Sequence, residues 1–162
     1  TKEAVDYCKP FGIPVEAELG SIKGKEDDMV NDMDLRTNPN EISEFVERTG
    51  CNMLAVSIGN VHGLDDQPNI DFQLLEEIYK YSPVPLVIHG GSGITKEELK
   101  QIQNYGVVKI NIASDLRRRY ITSIGESYKN DPTEHNLIKV LEKATDSVYE
   151  TVVEKIKMMN AI

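Results

Sequence analysis

Leu86-Val-Ile-His-Gly-Gly-Ser-Gly93 decides the fold. Three aliphatic residues flanked upstream by Pro83 and Pro85 read as a short buried strand, spanning 84–89. A glycine-rich turn then leads to Thr95, which with Glu98 forms a capping box for a helix ending at Tyr105, with Gly106 beyond it. The same unit recurs on both sides. Upstream, a strand at 52–58 leads through a loop at 59–69 to a helix from Asp71 to about Tyr81. Before it, a strand at 13–19 is followed by a long charged loop to Arg36 and a helix over 41–49, capped by Asn38 or Asn40 and stopped by Gly50. Downstream, a strand at 107–112 runs into a helix opening near Ala113 and Ser114, and a last helix covers about 134–159.

Strands alternating with helices predict a parallel sheet with right-handed crossovers. The strands are near-continuous apolar runs, the pattern of a sheet whose outer face is covered. Such units can build an open doubly wound sheet or part of a (β/α)8 barrel. Glu18, His62, His89 and Asn111 each sit at or just past a strand's C-terminal end, the active-site rim of a barrel. A doubly wound sheet would gather function at one switch point, so the spacing predicts the barrel.

With 162 residues, 40% hydrophobic and 28% charged, the chain has globular composition. Its net charge of −9 argues against a nucleic-acid or anionic-membrane partner, and its apolar runs are too short to span a membrane. Two cysteines make no disulfide framework, which fits the reducing cytoplasm. Residues 1–11 read as a helix already under way, which leads us to expect further sequence upstream.

Three constellations carry chemistry. His62 and His89, each followed by glycine on adjacent strands, can converge on one metal ion, although a catalytic zinc needs a third ligand; otherwise they are core histidines. His135, in a polar stretch, reads as surface. The run from His89 to Gly93 and the stretch Asn111-Ile-Ala-Ser114 both pass from a strand end into a helix. They are either anion cradles or plain turns. Glu16 and Glu18 alternate along the first strand and so share a face. A buried carboxylate without a partner is costly, so Glu18 is expected to face the metal region, a cation or a hydrogen-bond donor. Gly24-Lys-Glu-Asp-Asp28 is either a loop that brings a general base over the mouth or a solvated acidic segment.

Together these motifs resemble the class II (zinc-dependent) fructose-bisphosphate and tagatose-bisphosphate aldolase family. The resemblance rests on Val15-Glu-Ala-Glu-Leu-Gly20, Gly24-Lys-Glu-Asp-Asp28, Ala55-Val-Ser-Ile-Gly-Asn-Val-His-Gly63, Leu86 to Gly93 and Lys109-Ile-Asn-Ile-Ala-Ser-Asp115, in the family's order. It implies that residues 1–162 are the C-terminal half of a (β/α)8 TIM barrel, strands five to eight and a C-terminal helix. His62 and His89 would be zinc ligands, with Glu18 near the metal and Glu26 as the catalytic proton-transfer group. Gly63, Gly90, Gly91, Ser92, Ala113 and Ser114 would contact the 1-phosphate, and Asn111 would orient the substrate. The carbonyls of Val61, Gly63 and Gly90 fit a monovalent cation site, Na+ or K+.

The resemblance further implies a phosphorylated ketose substrate and a homo-oligomer when the barrel is whole. The family's third zinc histidine and a neighbouring Asp come from strand three, so the chain alone is expected to be inactive without the N-terminal half. Ala113 tilts the substrate toward tagatose bisphosphate. The alternatives are a metal-dependent phosphosugar isomerase or epimerase and a non-catalytic half-barrel.

Overall fold

The structure is a computed structural model that describes residues 1–26, 29–32, 35–63 and 67–159, with backbone alone at 25, 26 and 29. It divides into two units, residues 1–111 and 112–162.

The first unit opens with helix α1 (Lys2–Cys8) and a 3-10 turn (Lys9–Phe11), closed by Gly12 at φ 66°. Four strands then form one parallel sheet: β1 (Glu16–Leu19), β4 (Met53–Val56), β6 (Leu86–Ile88) and β7 (Val107–Ile110), in that spatial order. Helices α2 (Pro39–Thr49), α3 (Phe72–Tyr81) and α4 (Lys96–Ile102) separate them in sequence. Asn38 caps α2 by accepting from the Asn40 amide, Asp71 caps α3, and Thr95 with Glu98 completes the expected box on α4. The core is aliphatic. Leu54, Val56, Leu86 and Ile88 are fully buried, as are Leu75, Ile78, Leu99 and Ile102 on α3 and α4. This sheet is half the strand complement of a (β/α)8 barrel, as the strand pattern predicts.

Two features depart from the sequence reading. The segment taken as a long loop to Arg36 contains β2 (Lys23–Glu26) and β3 (Met29–Asn31), paired antiparallel. The loop at 59–69 contains β5 (Val61–His62), which pairs parallel with β2, making a small second sheet, β3-β2-β5. Gly24 makes this pairing possible: a Cβ there would lie 2.1 Å from the His62 carbonyl oxygen. The strands are also shorter than expected.

The second departure is a bulge. Leu86 pairs with Val107, but its neighbour Val87 pairs with Lys109, so Val108 is the extra residue on β7. Simple alternation would put Val107 and Lys109 on one face. The bulge instead puts Lys109 level with Val87, Ala55 and Glu18, which follow one another across the sheet. By period two, Glu16 on β1 and the position of His89 just past β6 belong to that same face.

The second unit is a helical hairpin, α5 (Ser114–Asn130) and α6 (Leu137–Met159). Lys155 Nζ meets Asp115 at 2.6 Å, and the Ser147 and Ser123 hydroxyls meet at 3.2 Å, so the helices run antiparallel. Ser123 and Ala144 are the buried residues of the contact. His135, between the helices, is exposed, as expected. Among the described residues, no helix is long and apolar enough to cross a membrane.

Candidate active site

The shared face of the sheet converges on His89. Its Nδ1 lies 3.0 Å from Glu18 Oε2, and its Nε2 lies 2.9 Å from Glu16 Oε1. The other Glu16 oxygen accepts from Lys109 Nζ at 2.9 Å. Glu16 and Lys109 stand on the two edge strands, β1 and β7, which a flat sheet would hold roughly 14 Å apart. Side chains perpendicular to a flat sheet would not meet across that span. Their contact reports a sheet curved around this face, as a barrel wall is.

The hydrogen bond that His89 donates to Glu18 is the main force raising the His89 pKa; burial opposes it, and Glu16 adds to the rise. For Glu16, burial acts to raise the pKa, but the hydrogen bonds and charges of His89 and Lys109 outweigh it and hold the carboxyl below its ordinary value. The cluster thus sets two acidic side chains, Glu16 and Glu18, around the His89 ring, with Lys109 against Glu16.

His62 comes to the same place from β5. The two imidazole rings stack, 6.3 Å between centroids and 23° between planes. Two imidazoles on one tetrahedral ion at about 2.0–2.1 Å would hold their centroids roughly 5–6 Å apart, so the pair sits near the spacing of a shared ion. Two imidazoles and a carboxylate are also the donor types zinc takes. Among the described residues, however, no group of three His, Cys, Asp or Glu side chains forms a complete metal cluster. By donor type His62, His89 and Glu18 suit zinc, which would need a further ligand.

Two residues lock the histidine segments together. Asn60, 1% exposed, accepts from the Ile58 amide at 2.8 Å and donates to the His89 carbonyl at 2.9 Å. Gly90, at φ 63°, passes so close to β5 that a Cβ would lie 2.1 Å from the Val61 oxygen. Only glycine allows that approach with that dihedral. From the sequence Gly90 is expected at the phosphate and monovalent-cation sites and Glu16 only on the face it shares with Glu18, while Asn60 and Lys109 carry no signal of a role. A buried amide one residue before a valine–histidine strand leaves no periodic signal, and Lys109 faces the site only through the bulge.

The glycine run turns as expected. Gly93 has φ 84°, and Ser92 is buried. The Gly91 amide donates to the Asn111 carbonyl at 2.9 Å, and the Asn111 amide donates to Ile88 at 2.9 Å, joining both strand-end loops. Gly63 follows His62 at φ 90°. Ala113 is the N-cap residue of α5 and Ser114 its first residue, both in the second unit. Glu26 ends β2; its side chain, with Asp27 and Asp28, lies outside the described residues.

Residues 1–162 match the family of class-II fructose-bisphosphate aldolases. The chain belongs to the class II fructose-bisphosphate aldolase family. The YdjI aldolase of Escherichia coli K12 superposes with a TM-score of 0.81 at 35% identity, over 98% of this chain and 53% of that one. The fructose-bisphosphate aldolase of Campylobacter jejuni, at 22% identity, shares the fold with a TM-score of 0.78, over 99% of this chain and 55% of that one. The chain thus spans about half the length of these solved structures. The chain carries His62, His89, Glu16, Glu18 and Lys109 on or beside one sheet face, with the glycine turn adjoining His89.

Proposed function

We propose that residues 1–162 are the C-terminal half of a class II aldolase barrel, which catalyses reversible cleavage of a ketose 1,6-bisphosphate. The substrate is fructose or tagatose 1,6-bisphosphate, and the products are dihydroxyacetone phosphate and glyceraldehyde 3-phosphate, in a glycolysis-type step of carbohydrate metabolism. The carrying observation is the convergence of His62 and His89, rings 6.3 Å apart, with Glu18 at 3.0 Å from His89.

A zinc ion on His62, His89 and a further ligand would supply Lewis acidity toward the substrate ketone. Glu18 stands beside that position as a nearby or additional ligand. In cleavage the C3–C4 electron pair passes to C3. Glu26 donates the proton that C3 takes up, and accepts it back in the condensation direction. The C4 hydroxyl proton goes to a base outside this set. Gly63, Gly90 and Ser92, with Ala113 and Ser114, hold the 1-phosphate; Gly91, its amide spent on Asn111, contributes room rather than a donor. Asn111 orients the dihydroxyacetone phosphate portion, and the carbonyls of Val61, Gly63 and Gly90 hold Na+ or K+. The free thiols of Cys8 and Cys51 suit a cytoplasmic protein, and a homo-oligomer is the expected assembly.

The test measures triose phosphate release from each bisphosphate by the full-length protein, with zinc counted by native mass spectrometry. Chelation abolishes turnover and zinc restores it. Glu26→Ala loses turnover while zinc stays bound. A zinc-loaded protein that cleaves neither sugar refutes the assignment, and an unchanged rate in Glu26→Ala removes that residue's role.

A further inference from the structure

Glu16 is the one carboxylate of the cluster that the proposed reaction leaves without a task, and Lys109 is the one cation. Neither faces the site by accident. Glu16 reaches from one edge strand and Lys109 from the other, the latter re-aimed by the bulge at Val108, and they meet beside the His89 ring. Each Glu16 oxygen has its own donor: Oε1 faces His89 Nε2 at 2.9 Å, and Oε2 faces Lys109 Nζ at 2.9 Å. A carboxylate gripped at both oxygens cannot swing away from the imidazole.

We propose that Glu16 is the positioning residue of His89: it fixes the proton on Nε2 and the plane of the ring, so that Nδ1 is the metal donor, while Lys109 holds Glu16 in place. This rests on the reading of His89 as a metal ligand. A carboxylate on the non-coordinating nitrogen sets the tautomer of a ligating imidazole and raises its basicity toward the ion. It also removes the ring rotation that binding would otherwise have to freeze. Glu18 has the complementary place, since it faces Nδ1, the nitrogen an ion would take. The two carboxylates of β1 therefore differ in task although they are two residues apart on one strand. Lys109 adds something a neutral neighbour would not. It balances the charge of Glu16, so that this carboxylate remains on the ring and does not compete as a ligand itself.

The experiment uses the full-length protein and Co2+ as the probe, with affinity measured by competition against a chromophoric chelator. Glu16→Gln binds Co2+ about 10- to 100-fold more weakly than the parent. Lys109→Met shifts affinity in the same direction by less, and Lys109→Arg restores it. In the zinc-loaded parent, 15N spectra of the imidazoles show His89 metallated at Nδ1 and protonated at Nε2. That measurement needs no variant and is not moved by a purely structural strut. An Nε2-metallated His89 overturns the proposal. So does Co2+ affinity within twofold of the parent in Glu16→Gln while His89→Ala abolishes binding. If His89→Ala itself leaves Co2+ binding unchanged, the ligand reading fails first, and the positioning role falls with it.

Discussion

Replacing Asn60 by alanine removes two hydrogen bonds at once, one of them fully buried. The Ile58 amide loses its 2.8 Å acceptor, and the His89 carbonyl loses its 2.9 Å donor. Asn60 is 1% exposed and Ile58 0%, so no solvent replaces the acceptor that the Ile58 amide loses, whereas His89 is half-buried. Leaving the buried Ile58 amide unpaired costs about 1–3 kcal/mol and the half-buried His89 carbonyl adds about 1–2 kcal/mol, about 2–5 kcal/mol together, before the small void left by the missing carboxamide. At this chain length that corresponds to a fall in Tm of roughly 4–20 °C. Urea denaturation followed by circular dichroism measures it. Asn60→Asp serves as the companion variant. It keeps an acceptor for Ile58 but sets a carboxylate against the His89 carbonyl, so it is at least as damaging. An Asn60→Ala protein within about 0.5 kcal/mol of the parent would refute the view that this side chain fastens the two histidine segments together.

Gly90→Ala destabilises by about 1–3 kcal/mol from its dihedral alone, and the clash with Val61 O forces β5 away from β6; thermal denaturation should show the loss and Co2+ titration a weaker site. Unaltered values for both would contradict the 2.1 Å approach. Thr95→Ala removes the cap of α4 and costs about 1 kcal/mol, with faster amide exchange at Glu98, whose N–H donates to the Thr95 hydroxyl at 3.3 Å. Exchange unchanged there would mean that the glycine turn, not the cap, holds the helix start.

What could be read from the sequence was what repeats locally. Apolar runs, stop glycines and capping residues placed the four parallel strands and helices α2 to α4, because each signal acts within a few residues of its effect. Asn38 and Thr95 are cases in point: cap and capped amide are two and three residues apart. The second sheet was not legible. Lys23-Gly-Lys-Glu26 is too polar to read as a strand, and the two-residue strand Val61–His62 exists only because it finds β2. The site divides the same way. His62, His89 and Glu18 announce themselves at strand ends, and alternation put Glu16 on the same face as Glu18. Lys109 reaches that face through a pairing irregularity that only the neighbouring strand defines, and Asn60 matters through a carbonyl 29 residues away.

The contact between Glu16 and Lys109 also has a meaning in time. It joins residues 93 positions apart in the chain, across the full width of the sheet. Bringing such distant segments together early in folding carries a large chain-entropy cost, while little yet holds them. Once β4 and β6 have aligned between them, most of that search is already over. The ion pair is thus a late arrival, made when the sheet has taken up its curvature. A chain with a misregistered β7 would keep most of its buried leucines and isoleucines and still leave His89 without its full set of neighbours.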